Sequence, residues 1–492
     1  MKDTGRIKHP PTDTARRILF EGTAASQIEH DLPHVTTVDR AHVVMLAERG
    51  VVRAAQACRL LKAIDELRDS QFAPLLGRVP HRGVYLMYED YLIETLGIET
   101  AGILQTGRSR NDLGATVFKI RMRRHYARLM REALRLQAVL LARARRNASV
   151  VMPAYTHGQV AMPITYGHYL AAVAQALSRD LDGFDSAVQD IHSCPLGAGA
   201  IAGTTLPIDT DRTSRLLGFR QAVTNSIDAV ASRDLALRIL GACAVYSVTL
   251  SRLAADLFQW ATAEFGFINL PDQLCGSSSA MPQKRNPFLL EHVLGRTAST
   301  AAGFLSSLMA MHATPFTNNI AVGTEAVRAF WDTMRSAQES TILTRLVVSG
   351  ASPNSEAMRR RAEMGYSGAT ELANRLVLRA GLDFRTAHRI VGEIVLSAIA
   401  DGNRPLDDAA RDYLAKRGIL LDLDRMDAPS LAAAACAGGG PAAESLKRCI
   451  QATHAKWTAQ ARELRRLTEW WAKCEARLER AVEELQGMAE TG

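Results

Sequence analysis

Three short segments carry residue types dense enough and ordered enough for chemistry: TGRSRND (106–112), YTHGQVAMP (155–163) and GSSSAMPQKRNP (276–287). Together they offer the cations Arg108, Arg110 and Lys284, the hydroxyls Thr106, Ser109, Thr156 and Ser278, the amides Asn111, Gln159 and Asn286, and one imidazole, His157. Guanidinium forks and short hydroxyls match carboxylate geometry, so this set suits a small dianionic substrate held by its carboxylates. It lacks the clustered His and carboxylate ligands a metal needs, and neither a metal nor a cofactor is expected. The small residues from Gly276 to Ala280 suit a loop that closes over a site and excludes water.

The elements that must position these segments read as helices. The chain has 492 residues, 47% hydrophobic and 22% charged, and its long Pro-free stretches follow a helical period, with few alternating runs of strand type. An all-α fold is expected, with long helices at about 111–147, 165–190, 226–266 and 286–312. An Asn225-Ser226 cap starts the third. Helices of thirty to forty residues must bury their apolar faces against one another or against other subunits, which points to a long, oligomeric bundle. At the end of the chain, Leu464, Leu467, Trp471, Cys474, Leu478, Ala481 and Leu485 alternate steps of 3 and 4, the pattern of a terminal helix packed along one seam.

Composition excludes several classes. No run of eighteen apolar residues lacks a polar break, and the N-terminal MKDTGRIKHPPTDTARRILF has no apolar stretch of signal type, so no membrane span is expected and a cytoplasmic location is. Seven scattered cysteines without a CxxC pair read as reduced thiols. The charge, 59 basic against 51 acidic side chains, is +8 and diffuse. Arginines between Arg121 and Arg146 raise nucleic-acid binding, but Ile120, Leu129, Leu134, Leu136 and Val139 interrupt them at helical spacing, as on the solvated face of a helix, and no nucleic-acid partner is expected. GAGAIAG (197–203) resembles a dinucleotide loop in composition alone; its spacing is wrong, and it reads as a connection that lets backbones approach closely.

Taken jointly, the three segments resemble the fumarase/aspartase superfamily, whose lid signature is GSSxMPxKxNP, and within it the argininosuccinate lyase family, marked by TGRSRND and YTHxQxAxPIT. The similarity continues through PLGAGAIAGTTLPID (195–209) and NSIDAV (225–230), and covers roughly Gln27 to Ala443. The resemblance implies a three-domain helical subunit: 1–112 carrying TGRSRND, 113–362 as the long bundle with THGQ and the lid, and 363–492 with the terminal helix. It implies a homotetramer whose active sites draw on three subunits, and anti β-elimination of an N-substituted aspartate to fumarate and an amine. By analogy Ser278 is the base, Lys284 and Asn286 stabilise the dianionic intermediate, His157 pairs with Glu291, and Ser109, Arg110, Asn111, Thr156 and Gln159 hold the substrate.

The sequence also departs from that pattern. The family's HTGRSRNDQ begins with Gln105 and ends with Leu113, its EDxH reads Arg82-Gly83-Val84-Tyr85, its NPD becomes Asn286-Pro287-Phe288, and its tyrosine beyond the lid is Asn318. These changes sit at the leaving-group and carboxylate-anchoring ends while the elimination residues remain. A leaving group other than arginine is therefore expected, since a buried cation without acidic partners is costly. Cleavage of argininosuccinate itself and an inactive structural paralogue are the alternatives.

Overall fold

The structure, a computed structural model, describes residues 6–419, 423 and 425–490. Its axis is helix α4 (Arg110–Arg146), preceded in chain order by α1 (Leu32–Glu48), α2 (Ala54–Asp69) and α3 (Val84–Leu96). Helix α4 starts where it does because Ser109 and Asp112 form a reciprocal capping box, and its last turn carries Arg143, Arg145 and Arg146 against the negative end of the dipole. Met122, Leu129, Ala133, Leu136 and Leu140 recur at helical spacing and are buried in one central cluster. That cluster is shared with α5 (Tyr166–Ala187), α7 (Asp234–Trp260), α8 (Phe288–Met311) and α9 (Phe330–Gly350).

The all-α expectation is met, with three exceptions in detail. The YTHGQ segment is an antiparallel hairpin, β1 (Val151–Thr156) and β2 (Gln159–Thr165), in which Thr156 faces Gln159 across a two-residue turn. His157 and Gly158 fill that turn at φ 53° and 73°, the left-handed pair that matches the twist of the flanking strands. The helix expected over 226–266 is two: α6 (Ser226–Ala231), capped by Asn225, and α7. The break falls at Arg233, whose buried guanidinium turns back to donate to the Ser232 carbonyl at 2.7 Å and the Val230 carbonyl at 3.3 Å. Burial pushes Arg233 down to about 10. A short pair, β3 (Ile268–Asn269) and β4 (Ser352–Pro353), joins the segment before the lid to the end of α9.

Among the described residues α7 is the one helix long and apolar enough to cross a bilayer. Its Leu240, Cys243, Tyr246 and Leu250 are buried in the bundle instead.

A second cluster joins α1, α2 and α3 to the first turns of α4, and a third holds Leu372 to Leu431 around α10 (Ala369–Ala380), α11 (Phe384–Ala400) and α12 (Leu406–Lys416). The terminal helix α13 (Ala443–Glu490) leaves that third cluster. Its apolar seam needs a long partner, and Leu467 and Trp471 pack into the central cluster while Leu478, Ala481 and Val482 pack into the N-terminal one. Residues 372–431 and α13 thus pack in different clusters.

Candidate active site

Helix α4 sets the geometry of the site because the sequence places candidate residues at both of its ends. At 1.5 Å per residue its 37 residues span about 55 Å. Ser109, Arg110 and Asn111 stand at the start, whereas the hairpin with Thr156, His157 and Gln159 follows the end. Val150 is pinned at the helix end by its N–H on the Asn147 carbonyl at 3.2 Å, and the seven residues from there to His157 extend at most about 23 Å, so even a hairpin folded straight back leaves His157 about 30 Å from Ser109. One chain cannot bring both groups to one small substrate.

The lid lies at the hairpin end. Its stem packs there through Leu274 against Gly350, and the next residue, Ala351, offers its carbonyl to Arg143 in the last turn of α4. Gly276 and Asn286 exchange backbone hydrogen bonds of 2.8 and 2.9 Å, which closes residues 276–286 into a loop. Within it the Ser278 Oγ accepts from the backbone N–H of Met281 at 3.1 Å and of Ala280 at 3.4 Å. Lys284 is exposed on the loop and Glu291 is exposed in the first turn of α8. Within one chain His157 and Glu291, both exposed, form no ion pair among the described residues. Phe288 packs its ring on the lid base: a Cβ at Gly276 would stand 3.1 Å from it. Asn318 lies beyond the 24 residues of α8, about 36 Å of helix from Phe288.

At the other end a cavity of about 600 Å³ is lined by Glu89, Gln105, Ser109, Arg110, Gly199 and Thr204 among others. Arg108, counted from the sequence as a cation for substrate, also reaches this wall but is already committed. Its guanidinium is fully buried, 2.6 Å from Asp39 and 3.1 Å from the Tyr85 hydroxyl. Burial opposes its charge, and Asp39 and Tyr85 more than offset that, holding Arg108 above its usual range. The buried pair braces the segment, as does His42, whose Nε2 lies 2.8 Å from the Thr106 carbonyl. Arg110 lines the same cavity and forms no ion pair among the described residues.

Two contributors were not read from the sequence. Asp112 accepts from the backbone N–H groups of Ser109, Gly197 and Gly199 at 2.9, 2.9 and 3.0 Å, and so docks the glycine-rich connection onto the start of α4. Gly197 at φ 103° has no room for a side chain, since a Cβ there would stand 2.3 Å from Thr210. Asn111 adds a bond to the Ala200 carbonyl at 3.0 Å. Glu89 is the second: it is 4% exposed, and burial pushes its carboxyl up while Arg108 pulls it down. The signal for Asp112 was the Ser109-x-x-Asp112 spacing of a capping box; Glu89 had none, because an acid inside a helix of mixed composition is unremarkable in sequence.

Comparison with known proteins gives the same outline. A family model described as lyase matches residues 41–301, and one described as argininosuccinate lyase C-terminal matches residues 366–428. The argininosuccinate lyase of Methanoculleus marisnigri is 34% identical over 490 residues, covering 96% of this chain and 98% of that protein. EDDS lyase in complex with formate superposes with a TM-score of 0.85 at 29% identity, over 99% of this chain and 97% of that one. An EDDS lyase variant with bound fumarate gives the same score and identity over 98% and 97%.

Proposed function

The chain belongs to the argininosuccinate lyase family of the fumarase/aspartase superfamily, a fumarate-forming carbon–nitrogen lyase, and we propose that its substrate is an N-substituted aspartate whose leaving amine is not arginine. In this reading Ser278 removes the proton next to a carboxylate, Lys284 and Asn286 stabilise the dianionic intermediate, and the amine leaves from the neighbouring carbon. Such a proton is very weakly acidic, so donors held in place before the reaction supply most of the stabilisation. The observation that carries the base assignment is the Met281 N–H at 3.1 Å from the Ser278 Oγ, since a serine oxygen acts as a base only where its negative charge is held. His157, paired with Glu291 of another chain, assists the departing amine. Ser109, Arg110, Asn111, Thr156 and Gln159 anchor the carboxylates.

The length of α4 supports an assembly in which a site draws its anchoring segment from one subunit and its hairpin and lid from others. Val245, Val248, Leu305 and Met309 on the outward faces of α7 and α8 are 55–66% exposed, which suits helix packing between subunits in a homotetramer.

The amine end supports a changed leaving group. Gly83 and Phe288 are not acids, Tyr85 is turned to Gln105 and Arg108, and Glu89, its carboxyl raised by burial, already faces the Arg108 charge. A neutral or weakly basic nitrogen fits such a wall better than a guanidinium, which would lack a partner. The test incubates the protein with fumarate and a panel of amines, amino acids, diamines and guanidines, and identifies new N-substituted aspartates by mass. Argininosuccinate cleavage at a kcat/KM near about 10⁴ M⁻¹s⁻¹, the low end of ordinary enzymes, would overturn the substrate assignment.

A further inference from the structure

Helix α4 carries arginines that the elimination leaves unused, and they converge on a separate cavity of about 380 Å³ between α1, α4 and α13. Arg124, Arg128 and Arg131 stand at i, i+4 and i+7, one face of the helix over about 10 Å. Their neighbours Arg121 and Arg135 are paired, with Asp31 at 2.7 Å and Glu132 at 2.5 Å, but these three have no acidic partner among the described residues. Like charges at this spacing repel one another, so the stripe is unfavourable unless something negative lies against it.

Deeper in the same wall, Arg123 is 6% exposed. Its Nη1 donates to the Leu217 carbonyl at 2.6 Å and its guanidinium lies 4.0 Å from the Phe219 ring centre, yet Nε and Nη2 are buried donors with no acceptor. The indole N–H of Trp471, another wall residue, is a third such donor. Burial pushes Arg123 down to about 10, and burial with Arg124, Arg121, His125 and Arg68 pushes the nearby His34 down to about 3. Two acids face the cavity. Glu479 is taken by Arg40 at 2.7 and 2.5 Å, which leaves Glu475 against four arginines. The remaining arginine of the wall, Arg68, is occupied by the Pro33 carbonyl and the Thr36 hydroxyl.

We propose that this cavity is a binding site for a small polyphosphate, whose oxygens take the unpaired N–H groups of Arg123, Arg124, Arg128 and Arg131. A row of donors with no matching acceptors calls for an acceptor-only ligand, and donors spread over about 10 Å fit a chain of tetrahedral acidic groups better than one planar carboxylate pair. The volume lies within the range of small-molecule sites. Arg124 stands about 22 Å along α4 from Ser109, so occupancy does not compete with the substrate anchors.

Calorimetric titration of the full assembled protein with tripolyphosphate, ATP and citrate tests this. Saturable tripolyphosphate binding is expected that weakens with salt, falls about tenfold in Arg124→Ala and again in Arg128→Ala, and tightens in Glu475→Gln. Both arginine variants should melt like wild type and retain its basal activity, because these side chains are exposed and lie outside the catalytic set. ATP binding tighter than tripolyphosphate identifies a nucleotide as the source of the phosphates, and equal binding identifies the phosphate chain alone. No saturable binding at millimolar ligand, binding unchanged in the two variants, or citrate binding as tightly as tripolyphosphate would each overturn the proposal. None of these outcomes depends on which amine the lyase releases.

Discussion

Gln105 donates from its amide nitrogen to the Tyr85 hydroxyl at 2.6 Å, so two positions at which the sequence leaves the family pattern are one hydrogen-bonded unit. The same hydroxyl receives Arg108, which ties the unit to the buried pair with Asp39. Tyr85→Phe and Gln105→Ala should each cost about 1 kcal/mol of stability, with the double variant costing clearly less than their sum. Urea denaturation of the four proteins reads the coupling, and strict additivity would show that the two replacements act independently.

The Ser278 Oγ is hydrogen-bonded to backbone N–H groups of its own lid loop, those of Ala280 and Met281. Ser278→Ala should therefore lower turnover by about 10² to 10³ or more, the scale for losing one key catalytic group, while leaving the melting temperature unchanged. A variant with wild-type turnover on a substrate from the amine panel would remove Ser278 from the mechanism.

The separation of Arg110 from His157 along α4 makes a stronger demand on the assembly. Arg110→Ala and His157→Asn proteins should each be nearly inactive. Mixed by denaturation and joint refolding, they should recover a fraction of wild-type turnover, because some sites then receive both intact segments. Recovery absent from correctly assembled hybrids would mean that each chain supplies a whole site.

Acid should weaken the fold through two buried histidines of α1, His42 behind the TGRSRND segment and His34 beside the arginine-lined cavity. Burial pushes both His42 and His34 down to about 3, so the native state keeps them neutral while the unfolded chain takes up protons near pH 6.5. The stability they contribute is present above pH 6.5 and is lost as pH falls from there toward 3, by roughly 1.4 kcal/mol per pH unit for each fully buried group. Denaturation midpoints at pH 7, 6 and 5 should decline less steeply in His42→Gln than in wild type. Parallel declines would show that His42 is not the group being titrated.

The long helices were legible because their apolar residues recur at helical spacing over many turns and their ends carry capping residues, as at Ser109 and Asn225. The hairpin was missed although it carries the candidate imidazole: Pro153 and Pro163 mask its strand character, and a His-Gly turn is weaker punctuation than Asn-Gly. The break at Arg233 was missed for a different reason. A buried guanidinium that caps the preceding helix is a tertiary arrangement, and locally the sequence remains a good helix former. The three candidate segments stood out by composition, yet composition assigns no partners. It could not separate Arg108, bound to Asp39, from Arg110 two residues on, or show that the Arg121–Arg146 stretch divides into paired arginines and a cavity wall.

Helix α13 puts Leu467 and Trp471 into the central cluster and Leu478 and Val482 into the N-terminal one, while the cluster from Leu372 to Leu431 takes nothing from it. Two clusters riveted by one continuous helix cannot melt one without the other, because unravelling either seam strips the partner's core. The third is under no such obligation and forms a cooperative unit of its own. Calorimetry should then resolve a large transition that carries both ends of α4 together and a smaller one that leaves them standing.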